Sequence, residues 1–467
     1  MKKSRAKLNL LVRKMSQMNS ILTQIPRRRI KRVVDKRSHA LDLFEPLVEP
    51  EQVALSRDAS TLMRTVRIGK YKGVTNLPLP NVTQSPGSAG LDLLASFDKA
   101  WLASSVRHKY MGNGQRIRVV DLFAGCGGLS VGVREAVTAI GGRFESVYAS
   151  DIDEGALSVY SANLSPKVVS ASPIQESLGF DLSAALSRKE QLLQEQCREI
   201  DFLIGGPPCQ GHSDLNNHTR RDDPRNELYG IMGRAASVFR PRYIIVENVI
   251  GVRHSSTGVV QRTMEHLQRL GYKTASIMLN AADFGVAQNR KRHFTLAMVG
   301  CPERFYRTLT VLQRAIRPVM WVIDDLIDEA DLSDEIFRTA ATHSATNKKR
   351  IEFLFANELY ELPDSQRPDC HRLKSHTYNS VYGRMRPGSP SPTITSGFGS
   401  TGQGRFVHPY KKRTLTPHEA ARIQFFPDWF TFQSLGRRQL QKCIGNAVPP
   451  KLGYVLALSL ISTELER

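Results

Sequence analysis

Ile117-Arg118-Val119-Val120-Asp121-Leu122-Phe123-Ala124-Gly125-Cys126-Gly127-Gly128, running on into Leu129 to Ile140, is the stretch that decides the fold. Ile117 to Phe123 has the apolar character of a strand. Ala124 to Gly128 is a glycine-rich turn, where the absence of side chains lets a ligand approach the backbone. Leu129 to Ile140 carries Val133, Ala136, Val137 and Ile140 at helical spacing. Gly141-Gly142 ends that helix, since glycine takes the left-handed cap conformation without strain. The turn does not match GxGxxG, which lowers a dinucleotide reading. Ser146 to Ser150 is a second strand, with Asp151 at its end and a helix over Glu154 to Leu164. A carboxylate at that place accepts hydrogen bonds from ribose hydroxyls; the plainer alternative is a helix cap or turn residue.

Outward from this unit the alternation continues. Asp201 to Ile204, Tyr243 to Val246, Lys273 to Leu279 and His293 to Val299 read as further strands. Tyr243-Ile244-Ile245-Val246 is nearly all apolar, as in a strand buried on both faces of a parallel sheet. Strands alternating with helices imply an α/β, doubly wound sheet. The rhythm fades from 301 to 385, and Pro387 to Gly404 is rich in Gly, Ser, Pro and Thr. Thr416-Pro417-His418-Glu419 then opens a helix: Thr416 caps it, Pro417 suits the first position and Glu419 completes a capping box. Leu452 to Ile461 is a last apolar helix. The expected division is an extension of unknown role over 1–115, a catalytic and cofactor-binding domain over 116–300, a small target-recognition domain over 301–411, and a return to the catalytic domain over 412–467. Within the extension, residues 76–90 read as a loop or linker.

The chain has 467 residues, with 65 Lys+Arg against 44 Asp+Glu, a formal charge of +21. An excess of that size suits a polyanionic partner, although a basic solvated surface would show the same count. The basic arm around Lys2, Lys3, Arg5, Arg27, Arg28 and Arg29 is read as a non-specific phosphate contact, with a mobile charged tail as the alternative. Leu10-Leu11-Val12 is too short for a signal-peptide core, and no apolar run reaches the length of a membrane span. Six cysteines without a CxxC pair argue against a disulfide scaffold and against a structural zinc site. No metal is expected, and the expected location is a reducing compartment: the cytoplasm, or the nucleus if the source is eukaryotic.

Three further segments carry chemistry. Gly205-Gly206-Pro207-Pro208-Cys209-Gln210-Gly211 puts Cys209 past the carboxyl end of a buried strand, on the edge where open α/β sheets bind ligands. Most cysteines are inert small hydrophobes; this placement favours a nucleophile, working as the thiolate. Val246-Glu247-Asn248-Val249 ends another buried strand on the same edge. Burial raises a carboxyl pKa, which suits a group that shares or donates a proton. In Gln288-Asn289-Arg290-Lys291-Arg292, an extended chain turns Arg290 and Arg292 to one face. Two guanidiniums aimed together can bind a carbonyl, a phosphate or Glu247.

These segments, in this order, resemble the DNA cytosine-5 methyltransferase family. DLFAGCGG resembles its cofactor motif, GGPPCQG its Pro-Cys motif, VENV its Glu-Asn-Val motif and QNRKR its Gln-x-Arg-x-Arg motif. Arg384 with Pro390 to Ile394, and Gly445-Asn446-Ala447-Val448-Pro449-Pro450, resemble the two motifs that follow. The resemblance implies a Rossmann-like methyltransferase sheet with a smaller inserted target-recognition domain. It implies S-adenosyl-L-methionine across the glycine turn at Gly125, Gly127 and Gly128. Phe123 would lie against the adenine and Asp151 at the ribose, with Ile152, Pro208, Leu228, Asn446 and Val448 completing the site. It implies Cys209 as nucleophile at C6 of a flipped cytosine, Glu247 at N3 and the exocyclic amine, Arg292 at O2, and Arg290 supporting Glu247 or the thiolate. DNA contacts fall to Gln210, Ser213, Arg220, Arg221, Arg225, Gln288 and Arg384, with Gln210 to Tyr229 as a closing lid. Arg372, Lys374, His376 and Asn379 are candidates for reading the target. One departure stands out: Ser170-Ala171-Ser172-Pro173-Ile174 lacks the Asp that usually meets the adenine amine, and Ser172 stands in its region.

The expected partner is duplex DNA, methylated by a monomer that stands with a cognate restriction enzyme or alone. An RNA cytosine-5 methyltransferase on transfer RNA, and a non-catalytic nucleic-acid-binding regulator, are the alternatives. A nicotinamide oxidoreductase would explain the glycine turn but neither Cys209 nor Glu247.

Overall fold

The computed structural model describes residues 50–79, 92–107, 114–208, 227–249, 258–326, 335–372, 380–432 and 435–464. In chain order it begins with strands β1 (Glu51–Leu55), β2 (Thr61–Ile68) and β3 (Tyr71–Pro78) and helix α1 (Leu93–Leu102). Then come β4 (Arg116–Leu122), α2 (Gly128–Ala139), β5 (Arg143–Ser150), α3 (Glu154–Leu164), β6 (Val168–Ser170), α4 (Arg188–Gln196) and β7 (Phe202–Gly205). α5 (Leu228–Phe239), β8 (Tyr243–Asn248), α6 (Val259–Arg269), β9 (Lys273–Asn280) and β10 (Lys291–Met298) complete the sheet region. α7 (Pro302–Val311), α8 (Val319–Ile323), α9 (Ala345–Ala356), α10 (Asp369–Arg372), α11 (Pro417–Ile423), α12 (Arg437–Asn446) and α13 (Pro450–Ile461) follow.

Seven strands form one sheet in the order β6-β5-β4-β7-β8-β10-β9. The first five run parallel, while β10 runs antiparallel to both β8 and β9. Period-two alternation divides the strand residues between two buried layers. Val119, Ile204 and Ile245 face one core with α2, α3 and α13; Val120, Leu203 and Ile244 face the other with α5. β7 is buried along its whole length, which explains its unbroken apolar run. The chain leaves β4 toward β5 and β6, then returns to β7 and β8. That reversal puts the topological switch point between β4 and β7, where such sheets hold their ligands.

Local signals set the element ends. Gly127 starts α2 at φ 92°, a conformation costly for any residue with a Cβ. Asp153 caps α3, its carboxylate accepting from the Ala156 amide at 3.1 Å. Thr416 and Glu419 form the expected reciprocal box on α11, with Pro417 in the first turn.

Two boundaries differ from the sequence expectation. Residues 51–78 and 93–102, expected as part of an extension, form an antiparallel sheet β1-β2-β3 and α1. Leu62, Val66, Ile68, Leu77, Phe97 and Trp101 join the main core, and Asn76 to Pro78, expected in a linker, belong to β3. The apolar core also continues past 301. Phe305, Leu309, Val319, Val322 and Ile323 pack into it, whereas Ile351, Leu354, Leu362 and Val407 make a small cluster of their own. The basic arm and residues 80–91 lie outside the described residues. Arg437–Ile461 would pass for a membrane span by length and apolar content, yet it is two helices and 94% of its most apolar window is buried in the protein.

Candidate active site

At the carboxyl end of β4, Phe123 takes φ +57°, a strained value for an aromatic residue. The turn that follows is fixed by a carboxylate: Asp151 accepts from the Gly125 amide at 2.8 Å and, through its other oxygen, from the Asp153 amide at 2.9 Å. Burial holds the Asp151 carboxyl above its usual range despite these bonds. Beneath the turn, Ser130 donates to Asp121 at 2.6 Å and shares a bond with the Tyr160 hydroxyl at 2.9 Å. Burial and the nearby Asp151 push Asp121 up to about 8, with Ser130 opposing.

The glycines have distinct jobs. A Cβ on Gly125 would meet nothing within 4 Å, so this face of the turn is open. A Cβ on Gly128 would fall 2.3 Å from the Val448 carbonyl oxygen and 3.2 Å from Phe426. The C-terminal Gly445 to Pro450 segment is therefore seated directly on the start of α2. Asn446 is exposed there, Val448 buried, and Ile152 is 73% exposed beside Asp151. Leu228 and Phe123 are half-buried against one core cluster, and Pro208 is half-buried. Ala171 and Ser172 are exposed just past β6.

Across the switch point, β8 ends in Glu247 and Asn248. Register explains the next contact. Phe294 of β10 pairs with Glu247, so Arg292 is the diagonal neighbour two residues away. Its Nε lies 2.9 Å from Glu247 Oε1, with side chains 16% and 13% exposed. Burial pushes the Glu247 carboxyl up; Arg292 and Arg290 pull it down without overcoming that. Gly206 stands opposite, where a Cβ would be 3.3 Å from Glu247 Oε2. Asn248 donates to the Pro207 carbonyl at 3.3 Å and thus ties the β8 end to the Pro-Pro entry.

Arg290, expected to support Glu247 or the thiolate, acts on Glu247 through its charge and not through a hydrogen bond. It is buried, and its guanidinium donates to the carbonyls of Ile394 at 2.7 Å and Gly445 at 3.1 Å. The direct partner of Glu247 is Arg292, while Arg290 clamps two distant backbone segments together. Gln288, expected at DNA, is corrected: it is fully buried, and its amide bonds Gln424, the Ile423 carbonyl and the Ile394 amide. No edge of it is left for DNA. Arg384 is half-buried, its Nε donating to the Pro409 carbonyl at 2.7 Å and its guanidinium lying 4.0 Å over the Phe355 ring. Arg372 is exposed and paired with Asp369 at 2.6 Å. Tyr229, expected at the end of a lid, is buried and donates to Thr295 at 2.6 Å. Cys209, Gln210, Ser213, Arg220, Arg221, Arg225, Lys374, His376 and Asn379 lie outside the described residues.

Sequence reading quoted Gly206 and Asn248 within its motifs without giving them a role, and it missed Gln424. Gln424 holds the C-terminal segment, donating to the Ile444 carbonyl at 2.6 Å. Its signal was a lone amide inside the apolar run Ile423 to Phe426.

The chain is 47% identical over 401 residues to "Type II methyltransferase M1.BsuMI" of Bacillus subtilis, covering 86% of this chain and 93% of that one. It is 29% identical over 388 residues to "Type II methyltransferase M.DdeI" of Desulfomicrobium norvegicum, covering 73% and 88%. Among solved structures, Entamoeba histolytica methyltransferase EhMeth superposes with a TM-score of 0.48 at 18% identity, over 74% of this chain and 98% of that one. Residues 117–462 match the family model of the C-5 cytosine-specific DNA methylases, and the chain belongs to that family.

Proposed function

We propose that this chain transfers a methyl group from S-adenosylmethionine to C5 of a cytosine flipped out of a specific duplex DNA sequence, through a covalent bond between Cys209 and C6. The observation that carries the reading is the Glu247–Arg292 pair beside Gly206-Pro207-Pro208, the residues that lead into Cys209. Its likeness to relatives named as Type II methyltransferases favours a restriction-modification setting.

The residues at the glycine turn fit the cofactor. Gly125 leaves the backbone open, and Ile152 offers an exposed apolar side chain. The Asp151 carboxylate uses two of its roughly four acceptor positions internally, which leaves capacity for ribose hydroxyls. Phe123, Gly127, Gly128, Pro208, Leu228, Asn446 and Val448 would complete the site. When bound, S-adenosylmethionine supplies an electrophilic methyl group.

The chain's own residues supply the activation. Cytosine C5 is a poor nucleophile. Addition of the Cys209 thiolate to C6 makes C5 electron-rich, as an enamine carbon. Glu247, with its raised carboxyl pKa, holds a proton at neutral pH more readily than an exposed glutamate and can share it with N3. Arg292 orients Glu247 and reaches toward O2. Once C5 is methylated, a base or water takes the C5 proton and the thiolate leaves by elimination. The base must leave the stack for any of this, at a cost of a few kcal/mol.

A duplex library carrying 5-fluorocytosine tests the reading. Fluorine at C5 cannot leave as a proton does, so elimination stalls and a protein–DNA adduct persists. The expected result is a denaturation-resistant adduct that needs S-adenosylmethionine and disappears in Cys209→Ser. An adduct that survives in Cys209→Ser contradicts the mechanism. No adduct on DNA with turnover on transfer RNA would move the substrate to RNA.

A further inference from the structure

The sheet β1-β2-β3 and α1 hold the two helices that form the cofactor edge, α2 and α13. Arg64 on β2 is buried and pairs with Glu135 on α2. Its Nη1 also lies 3.6 Å from Glu51 on β1, and its guanidinium is 4.4 Å over Phe97 of α1. Glu51 in turn accepts from the Tyr454 hydroxyl of α13 at 2.8 Å and from Arg314 at 2.5 Å. A second buried link joins Lys451 at the start of α13 to Asp98 of α1, at 2.7 Å. Backbone packing adds to these ties. A Cβ on Gly73 of β3 would fall 2.2 Å from the Ala139 carbonyl at the far end of α2. Trp101 stacks on Phe425 at 5.6 Å, and the Asp428 and Trp429 amides donate to the carbonyls of Leu102 and Ser104.

Each grip leads to the glycine turn. α2 begins at Gly128, α13 begins two residues after Val448, and Phe426 follows Phe425. Val448 and Phe426 are the groups that press on Gly128. A shift of α13 against α2 would therefore move the Val448 carbonyl relative to the turn.

We propose that residues 51–78 and 93–104 are a brace that sets the spacing of α2 and α13, with Arg64 and Asp98 as positioning residues for cofactor binding. The proposal rests on the cofactor reading above. Buried ions fixed by several partners suit such a role, because removing one partner leaves a charge uncompensated and forces rearrangement. Coupling of this kind is reciprocal: what the brace does to cofactor affinity, the cofactor does to the brace.

The test uses the full chain. Binding of S-adenosylmethionine is measured by calorimetry for the unmutated protein, Arg64→Met, Arg64→Lys and Asp98→Asn. DNA affinity without cofactor is measured beside it. The expected result is a loss of about tenfold in cofactor affinity for Arg64→Met and Asp98→Asn. Arg64→Lys should recover part of it, and DNA affinity should be unchanged. Lower melting temperatures with unaltered cofactor affinity would overturn the proposal and leave the network as fold stability alone. Should the variants not fold, hydrogen exchange on the unmutated chain decides. Saturating cofactor should slow exchange of amides in residues 61–78 and 93–102, and unchanged rates there would overturn the brace. Absence of cofactor binding to the unmutated chain would instead remove the functional reading, and the brace with it.

Discussion

Glu51 and Glu247 are both buried carboxylates among arginines, and they behave in opposite ways. Burial pushes both up. At Glu51, Lys451, Arg64 and Arg314 with the Tyr454 hydroxyl overcome it and hold the carboxyl at about 2. At Glu247, Arg292 and Arg290 do not, and the carboxyl stays above its ordinary range. The number of close cations decides the sign. In the brace, a saturated ion fixes helices. At the carboxyl edge of the sheet, an undersatisfied acid beside Gly206 keeps a proton within reach of a substrate.

The largest effect that could break this contrast is on catalysis. Glu247→Gln should lower kcat by about 10² to 10⁴, the range for losing a proton-sharing group. Its melting temperature should hold or rise, because a carboxyl whose burial is only partly compensated has been removed. A Glu247→Gln protein that unfolds readily yet turns over normally would invert the comparison.

Glu51→Gln should do the reverse. It should destabilise the fold by about 3 kcal/mol in denaturant titration at pH 7, since a folded carboxyl at about 2 against 4.5 is worth that much. The pH dependence sharpens the point. The folded Glu51 carboxyl binds its proton more weakly than the unfolded one, so its contribution is full above pH 4.5 and is lost as pH falls toward 2. The stability gap between the unmutated chain and Glu51→Gln should thus close in acid. The gap for Glu247→Gln should instead tilt in favour of the variant as pH rises, because a raised carboxyl costs stability once it must ionise.

Asp121 sharpens the contrast through its pH dependence, which has the opposite sign to that of Glu51. Its folded carboxyl at about 8 lies above the unfolded 3.8, so its contribution falls as pH rises from 3.8 to 8. Asp121→Asn should lose less melting temperature between pH 6 and 9 than the unmutated protein does. Parallel curves would mean that Asp121 is solvated more than its burial implies.

The same two regions differ in how much of them could be read from sequence. β4, α2 and α3 were legible to within one residue, and β5 to within three at its start. Apolar strands buried on both faces, a glycine forced to positive φ and an Asp cap are local signals that packing does not override. Glu247 and Arg292 were legible for a related reason: strand ends on one edge of an open sheet converge. The brace was not. In Thr61 to Ile68, the inward positions are Leu62, Arg64, Val66 and Ile68. A charge in the second of these breaks the alternation that marks a half-buried strand, and partners brought from elsewhere, Glu51, Glu135, Thr75 and Phe97, make it tolerable there. Gln288 and Arg384 were hard to place for the same reason. A polar side chain looks solvent-facing until its partners, Gln424 in one case and Phe355 in the other, are brought from elsewhere in the chain. That the core continues past 301 was hidden because α7 carries charges on one side and buries Phe305 and Leu309 on the other.

The most direct test of methyl transfer through Cys209 is bisulfite sequencing of DNA from a methylation-deficient bacterial host expressing this chain, beside the same host expressing Cys209→Ser. The expected result is one fully methylated sequence context that vanishes in the variant. Methylation that persists in Cys209→Ser, or a folded unmutated chain that leaves every cytosine unmodified, would contradict it.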